Sequence, residues 1–588
     1  MKSQNSKKTF LTILFFIFIS FSTFSLNNYQ KIWSVESEVY EAIENLYIQQ
    51  GLALPSSTGP WSTAELLQML ELVEDDSFLY QFALNQLNQK PNHKPHPNLG
   101  FDTTFNLNIE NYIHSNTESA FVGVDKWMYN SQNMSPFFQF DWEAYLTNNF
   151  YWFIGFDLRN QTHFKNNKDL GYKNYSTNVA GFQNFEFDMQ LNSSFPNRAL
   201  FSFGGENWSV LLGKDRLSWG HGETGNLVIS NNIPSQYLAR FSTFFNVFKF
   251  SFLTRFFQHQ KMYYTNEGWN NTILQATEVQ GLRFYMAHRF EGRFFNNKLS
   301  VTVTEAMMYQ SDDGQFNFKF LNPVDIFHNY YIRSNSNSTL ALEIDFSPIK
   351  RLNFYSQIIS DDFAIFGEPS GGNSDWAIPN ALGFMLGTKS SFELNKGVFY
   401  TSLEVVKTSP FLYLRYRDYD KGNEDNTYGV DYVVGYGDFN SAIMDEYFLG
   451  YPHGGDALVF NLKAGWKNYK NLTINGNIFY MLHGTFDKWT KWTPVGNGSN
   501  PNYPKWDLFN FLTTNHPSYN NKDNEDAKKR NAISHTFDIG FNVSYQLNEN
   551  TKIFMQNDFV LINNYGNHSG VFKSDFQTVF GVKLDWTV

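Results

Sequence analysis

Residues 536–547 read Thr-Phe-Asp-Ile-Gly-Phe-Asn-Val-Ser-Tyr-Gln-Leu, and residues 580–588 end the chain with Phe-Gly-Val-Lys-Leu-Asp-Trp-Thr-Val. In the first stretch Phe537, Ile539, Phe541, Val543, Tyr545 and Leu547 share one parity; Asp538, Gly540, Asn542, Ser544 and Gln546 share the other. In the second, Phe580, Val582, Leu584, Trp586 and Val588 alternate with Gly581, Lys583, Asp585 and Thr587. Successive side chains of a strand point to opposite faces, so each stretch has one apolar and one wet face. A terminal strand that stays apolar on one side to its last residue needs a partner. In a closed barrel it pairs with the first strand and no edge remains. The expected fold is an all-β, antiparallel transmembrane barrel of the bacterial outer-membrane kind.

The alternation recurs upstream. Phe101, Phe105, Leu107 and Ile109 alternate with Asp102, Thr104, Asn106 and Asn108; Phe150, Trp152, Ile154, Phe156 and Leu158 alternate with Gly155 and Asp157. Similar runs occupy Phe138–Ala144, Thr339–Phe346 and Leu458–Trp466. Charges fall on the polar parity, as a watery lumen requires. A barrel domain over 98–588, at ~9–11 residues per crossing plus loops, gives roughly 16–18 strands.

The chain has 588 residues, with 62 Phe and 33 Tyr, a bias that lipid-facing strands and aromatic girdles produce. Mean hydropathy is −0.41, which does not suit a bundle of membrane helices. There is no cysteine, so disulfides, thiolate chemistry and cysteine zinc sites are excluded. A net charge of −11 argues against a nucleic-acid partner. Residues 1–25, with Lys2, Lys7 and Lys8 before an apolar run from Phe10 to Phe21, read as a signal peptide. A helical region is expected over 30–97. Val35, Val39, Ile43 and Leu46 repeat at helical spacing up to Gly51; Ser62-Thr63-Ala64-Glu65 forms a capping box; Phe78 to Leu87 is a third amphipathic piece. Such short helices bury little core alone, so they are expected to pack at the periplasmic end of the barrel or in its mouth.

The most distinctive local sequence is Gly213-Lys-Asp-Arg216-Leu-Ser-Trp219-Gly220-His221-Gly222. Gly213, Gly220 and Gly222 mark backbone that needs unusual torsions or close approach. The segment reads either as an inward fold presenting Arg216, Trp219 and His221 to a ligand, or as an ordinary strand, bulge and turn. Pyranose rings stack on aromatics, and their hydroxyls pair with carboxylates, amides and arginine. On that ground Trp376, Trp489 and Trp492 in long connections, Arg283 and Arg289 on one strand face, and Arg333 are further glycan-contact candidates. Each has a structural rival: an interface girdle for the tryptophans, ion pairs with luminal acids for the arginines. Asp418–Asp425 resembles a calcium loop whose glycine sits one position early, and a solvated acidic turn fits better. Neither a metal centre nor a cofactor is expected. No nucleophile elbow, phosphate loop or His-Glu-x-x-His motif is present, so no enzyme is expected.

Gly213, Arg216 and Trp219-Gly220-x-Gly222, followed by Leu227-x-x-Ser230, resemble the signature segment of the Wzi-type capsule assembly family of outer-membrane proteins. The helical entry from Ile43 to Leu67, with Pro60-Trp61, is also similar to that family's N-terminal helices. The likeness departs at His221, where proline is expected. It implies a barrel with helices at its periplasmic end and a lectin-like, non-catalytic hold on capsular or exopolysaccharide glycan. Outer-membrane lipid and, during biogenesis, the barrel assembly machinery are the other partners expected. The competing functions are a general or sugar-selective porin and an outer-membrane hydrolase.

Overall fold

The computed structural model describes residues 28–74, 77–116, 135–158, 180–182, 196–259, 281–311, 313–314, 322, 327, 336–362, 381–414, 430–437, 443–488, 490, 512–514 and 529–588. The expected signal peptide, and Arg333, Trp376, Trp489, Trp492 and Asp418–Asp425, lie outside them.

Eighteen antiparallel strands close into one barrel. In chain order these are β1 (Leu99–His114), β2 (Phe138–Leu146), β3 (Phe150–Leu158), β4 (Arg198–Gly204), β5 (Trp208–Asp215), β6 (Gln236–Phe245), β7 (Phe248–Phe257), β8 (Leu282–Phe294) and β9 (Leu299–Ser311). They continue as β10 (Ser336–Ile349), β11 (Leu352–Asp362), β12 (Ala381–Leu394), β13 (Gly397–Thr408), β14 (Ala457–Lys467), β15 (Leu472–His483), β16 (Ser534–Asn548), β17 (Thr551–Asn563) and β18 (Phe572–Thr587). Each pairs with its neighbour in sequence, and β18 pairs with β1 from Gln577↔His114 to Thr587↔Thr104. Two short pieces, His93–His96 and Ala180–Phe182, add to β1. The final strand therefore closes the ring, as its one-sided apolar pattern demands.

Outward residues form an apolar surface. Ile109, Trp152, Phe241, Phe346, Phe460, Ile539, Phe559 and Phe580 are among its exposed large hydrophobics. A soluble domain exposes no such belt; a lipid-facing wall does. Among the described residues no helix is long and apolar enough to cross a membrane.

Alternate connections are tight, such as 147–149, 205–207, 295–298 and 350–351. The N-terminal region is tied to this short-turn end. Asn28 Nδ2 donates to Thr147 O and Phe150 O at 3.0 and 2.7 Å, and Gln30 Nε2 to Gly205 O at 3.0 Å. Ala53 N donates to Asn297 O at 2.8 Å, and Arg351 N to Ile48 O at 2.6 Å. Its helices are α1 (Glu38–Gln50), α2 (Thr63–Leu70) and α3 (Phe78–Leu87). Ser37 caps α1, and Gly51 ends it in the left-handed region at φ 76°. Ser62 caps α2 by accepting from Glu65 N. Val39, Ile43, Leu46, Leu66 and Leu79 form a core that also takes in Val398 of β13. The helices thus share their core with the barrel wall.

Replacing Phe580, 52% exposed on the outer face of β18, by arginine is expected to destabilise the barrel by about 2–4 kcal/mol. The measurement is the denaturant midpoint for folding into lipid vesicles. Glu549→Arg, in an exposed short turn, should stay within about 0.5 kcal/mol of the parent.

Candidate functional site

The segment after β5 turns inward instead of running along the rim. Gly213 has φ 141°, and a Cβ there would overlap Ala199 O of β4. Gly220 has φ 128°, and a Cβ there would overlap Asn226 Oδ1 and Gln357 Nε2. Freed by these glycines, Ser218 and Trp219 pair antiparallel with Gly59 and Thr58 of the N-terminal region. Two chain segments about 160 residues apart thus meet as a small ladder inside the bore.

Around this ladder the bore is packed. Leu217, Trp219, Leu227, Val228, Ile229 and Ile233 join one buried cluster with inward residues of the wall such as Leu253, Ala287, Met308, Ala341 and Ile359. A second inward segment, between β13 and β14, supplies Phe411, Leu412, Tyr413, Val433, Val434 and Tyr451 to the same cluster. Tyr413 Oη donates to Leu227 O at 2.5 Å, and Ser230 N to Leu449 O at 3.2 Å. Sequence reading missed this second plug segment. Its hairpin, Val433–Gly437 with Ile443–Phe448, lacks the one-sided alternation of the wall strands (Ile-Met-Asp-Glu-Tyr-Phe in its second strand), the one local signal that it does not face lipid.

The sequence candidates fall into two groups. Trp219, Arg283 and Arg289 are fully buried and engaged by protein. Arg289 lies 5.6 Å from the Trp219 ring centre; its Nε donates to Thr58 Oγ1 at 2.7 Å and its Nη2 to Ser57 Oγ and Glu343 Oε2, both at 3.1 Å. Arg283 Nη2 donates to Asp431 O at 2.8 Å and pairs with Asp431 Oδ1 at 3.0 Å. These groups hold the plug to the wall. Arg216 remains partly exposed and pairs with Glu36 at 3.1 Å. His221 faces a polar cavity and lies 3.6 Å from Glu44 Oε1.

That cavity, about 520 Å³, lies between α1, residues 218–226 and the wall from β12 to β17. Its frame is a chain of charges. Lys389 of β12 pairs with Glu44 of α1 and Glu223 of the inward segment, both at 2.9 Å. Lys463 of β14 reaches Glu223 at 2.9 Å, and Lys467 reaches Glu38 and Glu41 at 3.1 and 2.9 Å. Glu38, Glu41 and Glu44 recur every three residues, so one face of α1 meets the wall's lysines. Burial raises the Glu44 carboxyl, but Lys389 and His221 outweigh it and bring it from its ordinary 4.5 down to about 2. Glu223 is likewise held well below the ordinary range: burial raises it, and Lys389 and Lys463 overcome that. A second cavity of about 380 Å³ adjoins the first at Glu223, Lys463, Asn475 and Asn542. His453 on its wall is pushed down to about 3 by burial and then by His483.

Neither a family model nor a curated protein matches this chain. Among solved structures it is similar to Wzi of Escherichia coli, an outer-membrane protein involved in group 1 capsule assembly and a carbohydrate-binding β-barrel. Identity is 12%, covering 94% of this chain and 99% of that one, with a TM-score of 0.54. OprD of Pseudomonas aeruginosa (9% identity, 83% and 95% covered, TM-score 0.37) and the anion-selective porin of Comamonas acidovorans (9%, 83% and 99%, 0.33) also match. At these identities the likeness to Wzi establishes the fold: an 18-strand barrel of the outer-membrane type.

Lys389→Ala removes the lysine paired with Glu44 and one of the two paired with Glu223, and is expected to cost about 3 kcal/mol, read as a lower melting temperature. Because the folded Glu44 value lies below its ordinary one, its contribution is complete above pH 4.5. It is lost as pH falls from there toward 2. Tryptophan emission of the folded barrel, followed through that window, should report the plug loosening; Glu44→Gln should flatten the change.

Proposed function

We propose that this chain resides in a bacterial outer membrane and binds surface polysaccharide, capsular or exopolysaccharide, as a lectin does and without chemical conversion. The observation that carries the reading is the plug packed across the bore against β5 to β13. Two inward segments and the N-terminal region form it, an arrangement that suits holding a polymer at the mouth rather than passing solutes. The similarity to Wzi, itself described as carbohydrate-binding, supports the ligand class and the proposed place in a Wzi-type family. Trp376, Trp489, Trp492 and Arg333 are the proposed exterior contacts, with Arg216 and His221 nearer the plug. Many sugar repeats, each bound weakly, give retention through avidity. The signal peptide carries the chain to export, and the barrel assembly machinery inserts it into outer-membrane lipid.

Deleting the gene is expected to shift polysaccharide from cell-bound to shed, measured by uronic acid or total sugar in washed cells and in supernatant. Purified protein should bind the host strain's polysaccharide in a pull-down, and planar bilayers containing it should show no large stepwise conductance. Unchanged retention with no polysaccharide binding would overturn the reading; large open-channel steps would replace it with a porin.

A further inference from the structure

Two carboxylates on the inner wall, away from the charge chain on α1, have no cation. Asp538 on β16 and Asp558 on β17 are 4% and 5% exposed. Gly540 sits between them. It stands opposite Asp558 on one side and Asn477 of β15 on the other. Asp538, two residues away on β16, points to the same face and is the diagonal neighbour of both. A Cβ on Gly540 would overlap Asn477 Oδ1 and Asp558 Oδ1, so the missing side chain is what lets these two oxygens converge over the backbone. Asp538 Oδ1 is buried with no hydrogen-bond partner, and among the described residues the one side chain that bonds the Asp538 carboxyl is the amide of Asn477. Gln556 Nε2 donates to Asp558 Oδ2 at 2.8 Å. Among the described residues no lysine, arginine or histidine acts on either carboxylate. Lys463, on the wall of the adjoining cavity, is committed to Glu223.

Like charges buried together are costly unless something positive lies between them. The groups on this face are oxygen ligands: Asn477 Oδ1 and Asp558 Oδ1 meet over Gly540, and the Asp538 carboxylate sits diagonal to both on the middle strand. Soft or nitrogen-preferring metals have nothing to bind in that set, whereas hard cations take such ligands. Asp558 and Asn477 also line the cavity of about 380 Å³, which has room for the waters a hard cation keeps. Calcium tolerates irregular oxygen geometry better than magnesium, which demands a near-ideal octahedron. We propose that Asp538, Asp558 and Asn477 hold a divalent cation of the calcium class on the inner wall, with cavity water completing its shell. Among the described residues no three histidine, aspartate or glutamate side chains gather as a metal cluster. The proposed set instead joins two carboxylates to an amide, and it is independent of the glycan reading.

The test uses the full folded chain in detergent, stripped with chelator at neutral pH. Calcium chloride is titrated by calorimetry, and the melting temperature is followed in parallel. Millimolar calcium is expected to give one-site binding and to raise the melting temperature. The D538N/D558N pair is expected to weaken binding at least tenfold and to abolish the thermal shift. Its fold is checked by unheated gel migration, and D558N alone serves if the pair does not fold. Two results would overturn the proposal: a stripped barrel indifferent to millimolar calcium, as when the two carboxylates share a proton, or equal binding by parent and variant.

Discussion

Everything in this molecule depends on the pairing of its last strand with its first. Within a bilayer no water satisfies a bare backbone amide or carbonyl, so a sheet that spans must close. The ladder from Gln577↔His114 to Thr587↔Thr104 supplies that closure and leaves no edge. Closing eighteen strands fixes a bore too wide for wall side chains alone to fill. The contents of the bore therefore follow from the closure. They are unevenly placed. Inward residues from β5 to β13 are covered by the plug, with Leu211, Leu253, Ala287 and Tyr355 buried. Across the bore, Asn475, Asn477, Asn542, Gln556 and Gln139 are half-buried, so that side of the lumen keeps an amide-lined, water-facing wall.

The plug is positioned by polar contacts more than it is stabilised by them. An apolar surface such as that of α1 fits a wall in several rotations. The lysines of β12 and β14 accept only the one in which Glu38, Glu41 and Glu44 face them. Buried ion pairs are weak net stabilisers, because desolvation cancels most of their attraction, yet a misplaced one is expensive. Arg289 plays the same part on β8. It receives Ser57 and Thr58 from the N-terminal region and Glu343 from β10, so the small ladder at Thr58–Trp219 has one allowed seat.

Much of this was legible along the chain because strand and helix periods are local properties. Parity named the inward and outward sets of β16 and β18, and Ser37, Gly51 and Ser62 delimit α1 and α2 as their chemistry requires. The glycines at 213 and 220 stood out because only a backbone leaving the wall needs such torsions. What stayed hidden depends on register and on distance in sequence. Arg283 and Arg289 read as luminal, with ion pairs to luminal acids as one alternative, but the plug partners Asp431 and Ser57 lie 148 and 232 residues away and no local signal names them. The segment around Val433 and Tyr451 lacks the alternation of a wall strand, but its place in the bore is set by partners such as Leu227 and Ser230, about 200 residues away. Asp538 read as a routine polar-parity residue; its shared place with Asp558 beside Gly540 exists only once three strands are in register.

That dependence on register also orders assembly. Helices α1 to α3 are synthesised first, yet Lys389, Lys463 and Lys467 that seat them come more than 300 residues later, and the β18 ladder comes last. Contacts of such sequence separation carry a large loop-closure cost until intervening strands bring their ends together. The helices cannot stand in for that sequence, because their core is completed by Val398 of the wall. Plug and ring are therefore one cooperative unit. The inward segments have no apolar surroundings to enter before the wall curves, and the half-built wall has no occupant for its buried arginines. Two of the plug's three pieces are the barrel's own connections, after β5 and between β13 and β14, so the strands on either side of each fix where it enters the bore.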